Sequence, residues 1–466
     1  MRAQRRIAGG MVLLPLLAWA SGCDNSAATL RVVHASIDAS ALDVYARNTG
    51  TNTATLFSNV AYAATTPYQK ISREGDYVFE LRPAGAPAAS APLTTSSVFH
   101  VSTGENATAV IAGLAGTGDS NVGLQVLVEE ERFDLPAPTD NAWVRVVNAV
   151  PDVESVEFIA TSSDGTSTTT GSLDRFGAAS ILEPVGQPLG IGAAPVGTSF
   201  TVTLTSKRAV FLIATGLSTA APGEDQAFEL LQVGIDGSTA IVQQDPIVYA
   251  LAASPDAASL DLFNGTTEVA SGVAFGQLSS IQLPPGDQAI DFFPHSPTNA
   301  RPAGDPTGSV QLGGLEAGKR YLSVTSGFVT TGRAPALQSS VYQEAFAAAA
   351  TTALLRVVQA APDLPTVDLA STDGMSVMPF ADFHALSFLD SSTAAGTAVP
   401  NDFTLAIVPS GTQTVTAGFA LASQASTRSF AVVAGAATPA GSDQPLGLIL
   451  VDTTSQPWVA TSVAAQ

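Results

Sequence analysis

Runs of apolar residues recur along the chain in a fixed order, and turn-forming residues separate them. The first run of each set opens a near-copied phrase. It reads "LRVVHASIDASALDVY" at 30–45, "VRVVNAVPDVESVEFI" at 144–159, "VYALAASPDAASLDLF" at 248–263 and "LRVVQAAPDLPTVDL" at 355–369. In each copy an apolar run leads into a Pro-Asp or Ile-Asp turn and then a short alternating segment such as Leu260-Asp261-Leu262-Phe263, the period-two pattern of a strand. The third copy continues as "NGTTEVASGVAFGQLSSIQLPPGDQAIDFFP", with a hairpin-type Asn264-Gly265, strands through Val269 and Ile281, a Pro284-Pro285-Gly286 turn and a strand to Phe293. Late strands recur as "ATAVIAGL", "RAVFLIATGL", "KRYLSVTSG" and "RSFAVVAGA". About seven or eight short strands per repeat, with no long amphipathic helix, predict a β-sandwich.

The copies begin at Leu30, Val144, Val248 and Leu355, so the period is that of whole domains and not of solenoid units. Boundaries fall where turn residues and Pro cluster, in "LPAPTDN" at 135–141 and "QQDP" at 243–246; the third, "AFAAAATTA" at 345–353, is open to a helical turn. The predicted domains are 27–139, 140–244, 245–350 and 351–466. Linkers this short restrict relative motion without abolishing it.

The N-terminus changes the picture from a fold to a place. Arg2, Arg5 and Arg6 precede an apolar run from Ile7 to Ala20 that is short for a membrane span, as in an export signal. Ala20-Ser21-Gly22-Cys23 resembles the bacterial lipobox, with Ala20 where the usual Leu stands. That resemblance implies a lipoprotein signal peptide over 1–22, cleavage before Cys23 and acylation of Cys23, for instance by palmitate. Several acyl chains on one residue hold a protein on a membrane stably, where one chain does so only marginally. Cys23 is the single cysteine, so a disulfide scaffold is excluded. Asp24 leaves open whether the inner or the outer membrane is the destination.

Charge narrows the partners. The chain carries a net charge of −21, and removing 1–22 takes away three arginines and no acid. Phosphate-directed nucleic-acid binding needs clustered Lys or Arg, yet the three lysines, Lys70, Lys207 and Lys319, lie far apart. The 45% hydrophobic content is enough to fill several cores without disulfides.

Candidate chemistry reduces to acidic pairs at a separation of five: Asp38/Asp43, Asp152/Glu157, Asp256/Asp261 and Asp363/Asp368. One reading is structural: an Asp after Pro accepts backbone N–H groups one or two residues on, and the second acid sits on the exposed face of the next strand. The other is a Ca²⁺ site, which needs six to eight oxygens and hence ligands from another loop. His34 becomes Asn148, Ala252 and Gln359 in the other copies, and with His100, His295 and His384 it shows no metal-ligand spacing. Tyr45, Tyr68, Trp143 and Phe263 read as core aromatics with a ligand groove as the alternative. There is no nucleophile elbow, phosphate loop or dinucleotide fingerprint.

The opening phrase, together with "NG…VASGVAFG", "LPPGDQAIDFFP" and the late "KRYLSVTSG", resembles the bacterial domain of unknown function 4397. The third repeat matches nearly throughout, the others mainly at the phrase and the late strand. Ile37, Glu157, Tyr249 and Leu251 depart from the pattern. The resemblance implies an Ig-like sandwich and a surface role, and no reaction.

The sequence thus predicts an all-β chain of four tandem Ig-like/Greek-key β-sandwich domains after a lipoprotein signal peptide. The expected function is that of a lipid-anchored, extracytoplasmic cell-envelope protein, non-catalytic, engaged in binding, adhesion or scaffolding. Its expected partners are the membrane through acylated Cys23 and a polysaccharide or envelope protein, with no nucleic acid. Ca²⁺ is the one cofactor the acidic pairs offer. The alternatives are an envelope hydrolase using one acidic pair and a calcium-stiffened stalk.

Overall fold

The computed structural model describes residues 28–71, 74–117, 119, 121–130, 140–205, 209–347, 351–422 and 424–466. The expected signal peptide over 1–22 and Cys23 lie outside the described residues. Those described form strands and turns with no helix, in eight sheets, two to each of four modules.

The third module shows the plan most plainly. Its eight strands are Ile247–Ala252, Ser259–Asn264, Thr267–Ala274, Leu278–Gln282, Gly286–Pro294, Gly308–Leu315, Arg320–Ser326 and Gln338–Gln343. One sheet has the spatial order fourth, first, seventh, eighth; the other has third, second, fifth, sixth. All neighbours are antiparallel except the first and seventh strands, which run parallel from Ile247↔Arg320 to Ala252↔Thr325. The other modules repeat this order. In the first, the sixth strand is split into two short pieces; the second and fourth append a ninth strand, Thr239–Val242 and Val459–Val463.

Alternation along the strands explains the packing. In the first module Leu30 and Val32 point into their own sandwich with Phe79 and Leu81. Val33 and Ala35 point the other way and meet Val147, Phe211, Ile213, Leu231 and Val233 of the second module. The same split recurs in the third and fourth modules, where Tyr249, Leu251, Leu322 and Val324 pack on Val358, Phe430, Val432 and Trp458. Sheets buried on both faces need continuous apolar runs, and this is why "RVV", "AVIA", "VFLIA" and "FAVVA" carry so few polar residues. Each pair of modules is therefore a stack of four sheets with three dry layers between them.

Phe211 is fully buried in the layer between the first two modules. Phe211→Ala is expected to cost about 3–5 kcal/mol in denaturant unfolding; a loss below about 1 kcal/mol, the scale of a surface substitution, would contradict the double burial.

Candidate functional site

The four leading acids occupy one structural position. Each sits in the turn after the first strand and reaches the loop that follows the seventh strand, more than sixty residues away; within their own turns Asp38 and Asp256 also accept the Ser36 and Ser254 hydroxyls, each at 3.3 Å. Asp38 accepts the Ala115 N–H at 2.8 Å and the Gly116 N–H at 3.1 Å. Asp152 accepts the Ser218 N–H at 3.0 Å and its hydroxyl at 2.9 Å. Asp256 accepts Val329 N–H at 2.8 Å and Thr330 N–H at 3.0 Å, and Asp363 accepts Ala437 N–H at 2.7 Å and Thr438 N–H at 2.9 Å. The clamped loop always starts with a glycine in the left-handed region: Gly113, Gly216, Gly327 and Gly435, at φ 87°, 86°, 109° and 88°. A Cβ there would stand 2.0–2.3 Å from the carbonyl oxygen of Gly123, Ala227, Ala336 or Pro445, so no other residue fits. These glycines were visible in all four late-strand motifs, but only the fold shows what they face.

The second acids serve the outer sheet. Asp43 accepts Asn59 N–H at 2.8 Å and Gly85 N–H at 2.9 Å. Asp261 accepts Gly272 N–H at 2.7 Å, Ser296 N–H at 2.8 Å and the Ser271 hydroxyl at 3.0 Å, and lies 2.8 Å from His295 Nδ1. Asp368 accepts Ala385 N–H at 2.7 Å and Gly411 N–H at 3.3 Å. In the first and third modules the acid stands opposite a β-bulge in the third strand, and Asn59 (φ 53°) and Gly272 (φ 64°) are the bulged residues that donate. In the second module the bulge is displaced by one residue to face Phe158, and the longer Glu157 instead takes the Thr169 hydroxyl. Displacement of the bulge accounts for the departure at 157. Asp43 and Asp261 are 6% and 1% exposed, so the expected exposed strand face is in fact an interior of backbone donors.

The two acids of a pair thus have separate donor sets. N–H groups present positive ends where a cation would sit, and among the described residues no three His, Cys, Asp or Glu side chains gather as a metal site. Burial pushes the Asp261 carboxyl up, but His295 and the Ser296 and Gly272 N–H groups outweigh it and hold it below the ordinary carboxylate range. Asp256 and Asp363 are lowered by the same balance, and Asp368 chiefly by the Ala385 N–H.

A second recurrent position escaped the sequence reading because its partner is another module. The residue after the first apolar position of the phrase is Arg31, Arg145, Tyr249 or Arg356. Arg31, fully buried, donates to the Gly234 carbonyl of the second module at 2.6 Å and lies over Phe211. Arg145 answers by binding Glu129 of the first module, its Nε at 2.8 Å. Arg356 donates to the Gln343 carbonyl of the third module at 2.9 Å and covers Tyr342. Strand registers make Gly234 and Gln343 equivalent, both being the last residue of the eighth strand. Tyr249 fills the role without a charge: it stacks on Trp458 of the fourth module at 4.2 Å, and its hydroxyl meets Gln456. Each pair of modules is closed by two reciprocal clasps, the arrangement of a self-complementary, two-fold interface. Of the aromatics singled out in the sequence, Tyr45 and Tyr68 underlie Arg82 and Arg31, and Phe263 is buried edge-on to Phe293.

The family model described as "Domain of unknown function (DUF4397)" matches residues 28–159 and 247–370. Each match spans one whole sandwich and the first two strands of the next. No curated protein matches the chain. Among solved structures, the Bacillus anthracis TIE protein aligns at 9% identity and a TM-score of 0.14 over 65% of this chain and 50% of its own. The fimbrial anchor protein Mfa2 from Porphyromonas gingivalis aligns at 12% identity and a TM-score of 0.14, over 46% of this chain and 98% of its own. The chain thus spans half the length of the first of these, and superpositions this loose carry no argument.

Asp261→Asn keeps the shape but weakens charge-assisted bonds, and is expected to cost about 1.5–3 kcal/mol in chemical unfolding; no change would remove the clamp role. Because the folded values of Asp256, Asp261, Asp363 and Asp368 are lowered, their stabilisation is complete above the ordinary carboxylate range. It is lost as the pH falls through those lowered values. Melting followed downward from about pH 5 should therefore show an acid loss that Asp261→Asn makes shallower.

Proposed function

The chain belongs to the DUF4397 family, whose model covers more than half of it, and on that footing we propose that it is a non-catalytic binding, adhesion or scaffolding protein of the bacterial cell envelope, anchored by acylated Cys23. The observation that carries this reading is that every recurrent acid is engaged in tying one segment of its own module to another. Residues repeated in this way serve shape. The clasps support it further, because they join successive modules into stacks that resist bending.

Between the lipidated cysteine and the first described strand, which begins at Thr29, there are only five residues, at most about 20 Å of extended chain. The first module would accordingly sit against the headgroups, with the later modules carrying contacts outward. A concavity of about 530 Å³ opens in the first module where its sixth strand is broken, lined by Thr94, Thr95, Ser96, Thr117, Asp119 and Gln125. Hydroxyl and amide groups set among Leu93, Leu114, Leu124 and Val126, with the Asp119 carboxyl and no basic side chain, suit a neutral polysaccharide better than an anionic polymer.

Cell fractionation tests the anchor, with Cys23→Ala expected to move the protein from the membrane to the soluble fraction. Retention of the Cys23→Ala protein on envelope polysaccharide columns, with a melting midpoint indifferent to millimolar calcium, is the expected companion result. Turnover of an envelope glycan that is abolished by Asp→Asn at one acidic pair alone would replace this reading with the hydrolase.

A further inference from the structure

The two stacks meet where the second module hands over to the third, and this junction is built from different material. The junctions within the stacks are mainly apolar layers edged by the clasps, whereas here the contacts are amides, hydroxyls, the Asp245 carboxyl and, at the rim, an Arg320–Glu224 ion pair at 3.5 Å. Gln282 of the third module accepts the Ser199 N–H at 2.9 Å and donates to the Asp245 carbonyl at 3.1 Å and the Thr198 hydroxyl at 3.1 Å. The Gly318 N–H donates to the Gln244 carbonyl at 2.7 Å, and Gly223 lies so close to the Gly318 carbonyl that an added Cβ would stand 2.3 Å from it. Asp245 sits at the centre, 3% exposed. Its Oδ2 accepts the Ser199 hydroxyl at 2.7 Å, and its Oδ1 is buried without a hydrogen-bond partner.

We propose that this junction is a proton-gated hinge, closed while the Asp245 carboxyl is neutral and released when it ionises. The groups packed around Asp245 offer a charge no counterpart. The sixth strand of the second module, Thr198–Thr203, contributes Thr198, Ser199 and Thr201; the linker contributes Gln243 and Gln244; the third module contributes Gln282 and Gly318. Of the cations that follow Gly318, Lys319 is exposed and Arg320 is committed to Glu344 at 2.6 Å and Glu224 at 3.5 Å. Among the described residues no ion pair to Asp245 is formed. An ionised oxygen at Oδ1 would be a buried charge with no counter-ion and no well-formed hydrogen bond, the Thr201 groups nearby offsetting only part of the cost, whereas a neutral carboxyl there is tolerable.

Burial accordingly pushes the Asp245 carboxyl above its ordinary range, with the Ser199 and Thr201 hydrogen bonds opposing it. The sign follows: a raised folded value stabilises the closed junction below the ordinary carboxylate range, and that stabilisation is lost as the pH rises through the raised value. This is opposite to the clamps, which weaken in acid. Burial also pushes up Glu229 and Glu344, which border the layers within the stacks, but Glu229 accepts the Tyr62 hydroxyl of the first module and Glu344 is paired with Arg320 at 2.6 Å, whereas Asp245 has no cation beside it, so the opening is expected at this hinge. The inference does not depend on what the chain binds.

Hydrogen exchange on the whole chain reads the hinge directly through the Ser199 and Gly318 amides. After correction for intrinsic exchange, their protection should fall as the pH rises above the ordinary carboxylate range, by up to roughly tenfold for each unit by which burial raises the carboxyl. Asp245→Asn cannot ionise and should keep its protection across the range, while Glu224→Gln, at the rim, should behave as the unaltered chain. Protection that is flat with pH in the unaltered chain, or a pH dependence that survives in Asp245→Asn, overturns the proposal. Should Asp245→Asn not fold, small-angle scattering of the unaltered chain decides: a maximum dimension that changes over the same pH range supports the hinge, and a constant one removes it.

Discussion

Burial of the inner sheets on both faces is the constraint from which the rest of this structure follows. A sheet covered on one side alternates apolar and polar residues; a sheet covered on both sides cannot. The first and seventh strands of every module obey the second rule. Their parallel pairing puts the phrase at the centre of the inner sheet, so the phrase builds its own sandwich with one face and binds a neighbouring module with the other. A module taken alone would leave an apolar face bare.

Polar residues are then admitted to these layers only where they close something. Arg31 and Arg356 cross the layer to cap the carbonyl at the end of a partner's eighth strand, and Arg145 crosses to Glu129. Where the third module replaces arginine with Tyr249, the fourth supplies Trp458 to stack on it. The leading acids close the module at another place, pinning the glycine turn after the seventh strand to the turn after the first. Clamps and clasps together convert eight marginal sheets into two bodies, and the polar junction between those bodies is where freedom remains.

The sequence showed the period, most of the strands of the third module along the chain and the recurrence of the acids. Those features rest on local chemistry: alternation, turn residues and copying within one chain. It also showed the departures at Glu157 and Tyr249, but not their causes. Glu157 departs because a bulge moved by one residue on the strand opposite; Tyr249 departs because an indole stands in a different module. Local turn chemistry assigns Asp38 to its own turn, where it accepts the Ser36 hydroxyl at 3.3 Å, but its backbone donors are Ala115 and Gly116, which no local rule connects to it.

What the sequence determined by itself is therefore the class of fold, the repeats within it and the identity of its recurrent polar residues, because strand periodicity and turn chemistry act over a few residues. What only the tertiary structure decided is what those residues hold and which faces are shared. A carboxylate's role is set by the donors brought to it, and here those donors arrive from across the module. A doubly apolar strand announces that it is buried without naming its cover; the cover is chosen by the packing of one module on the next.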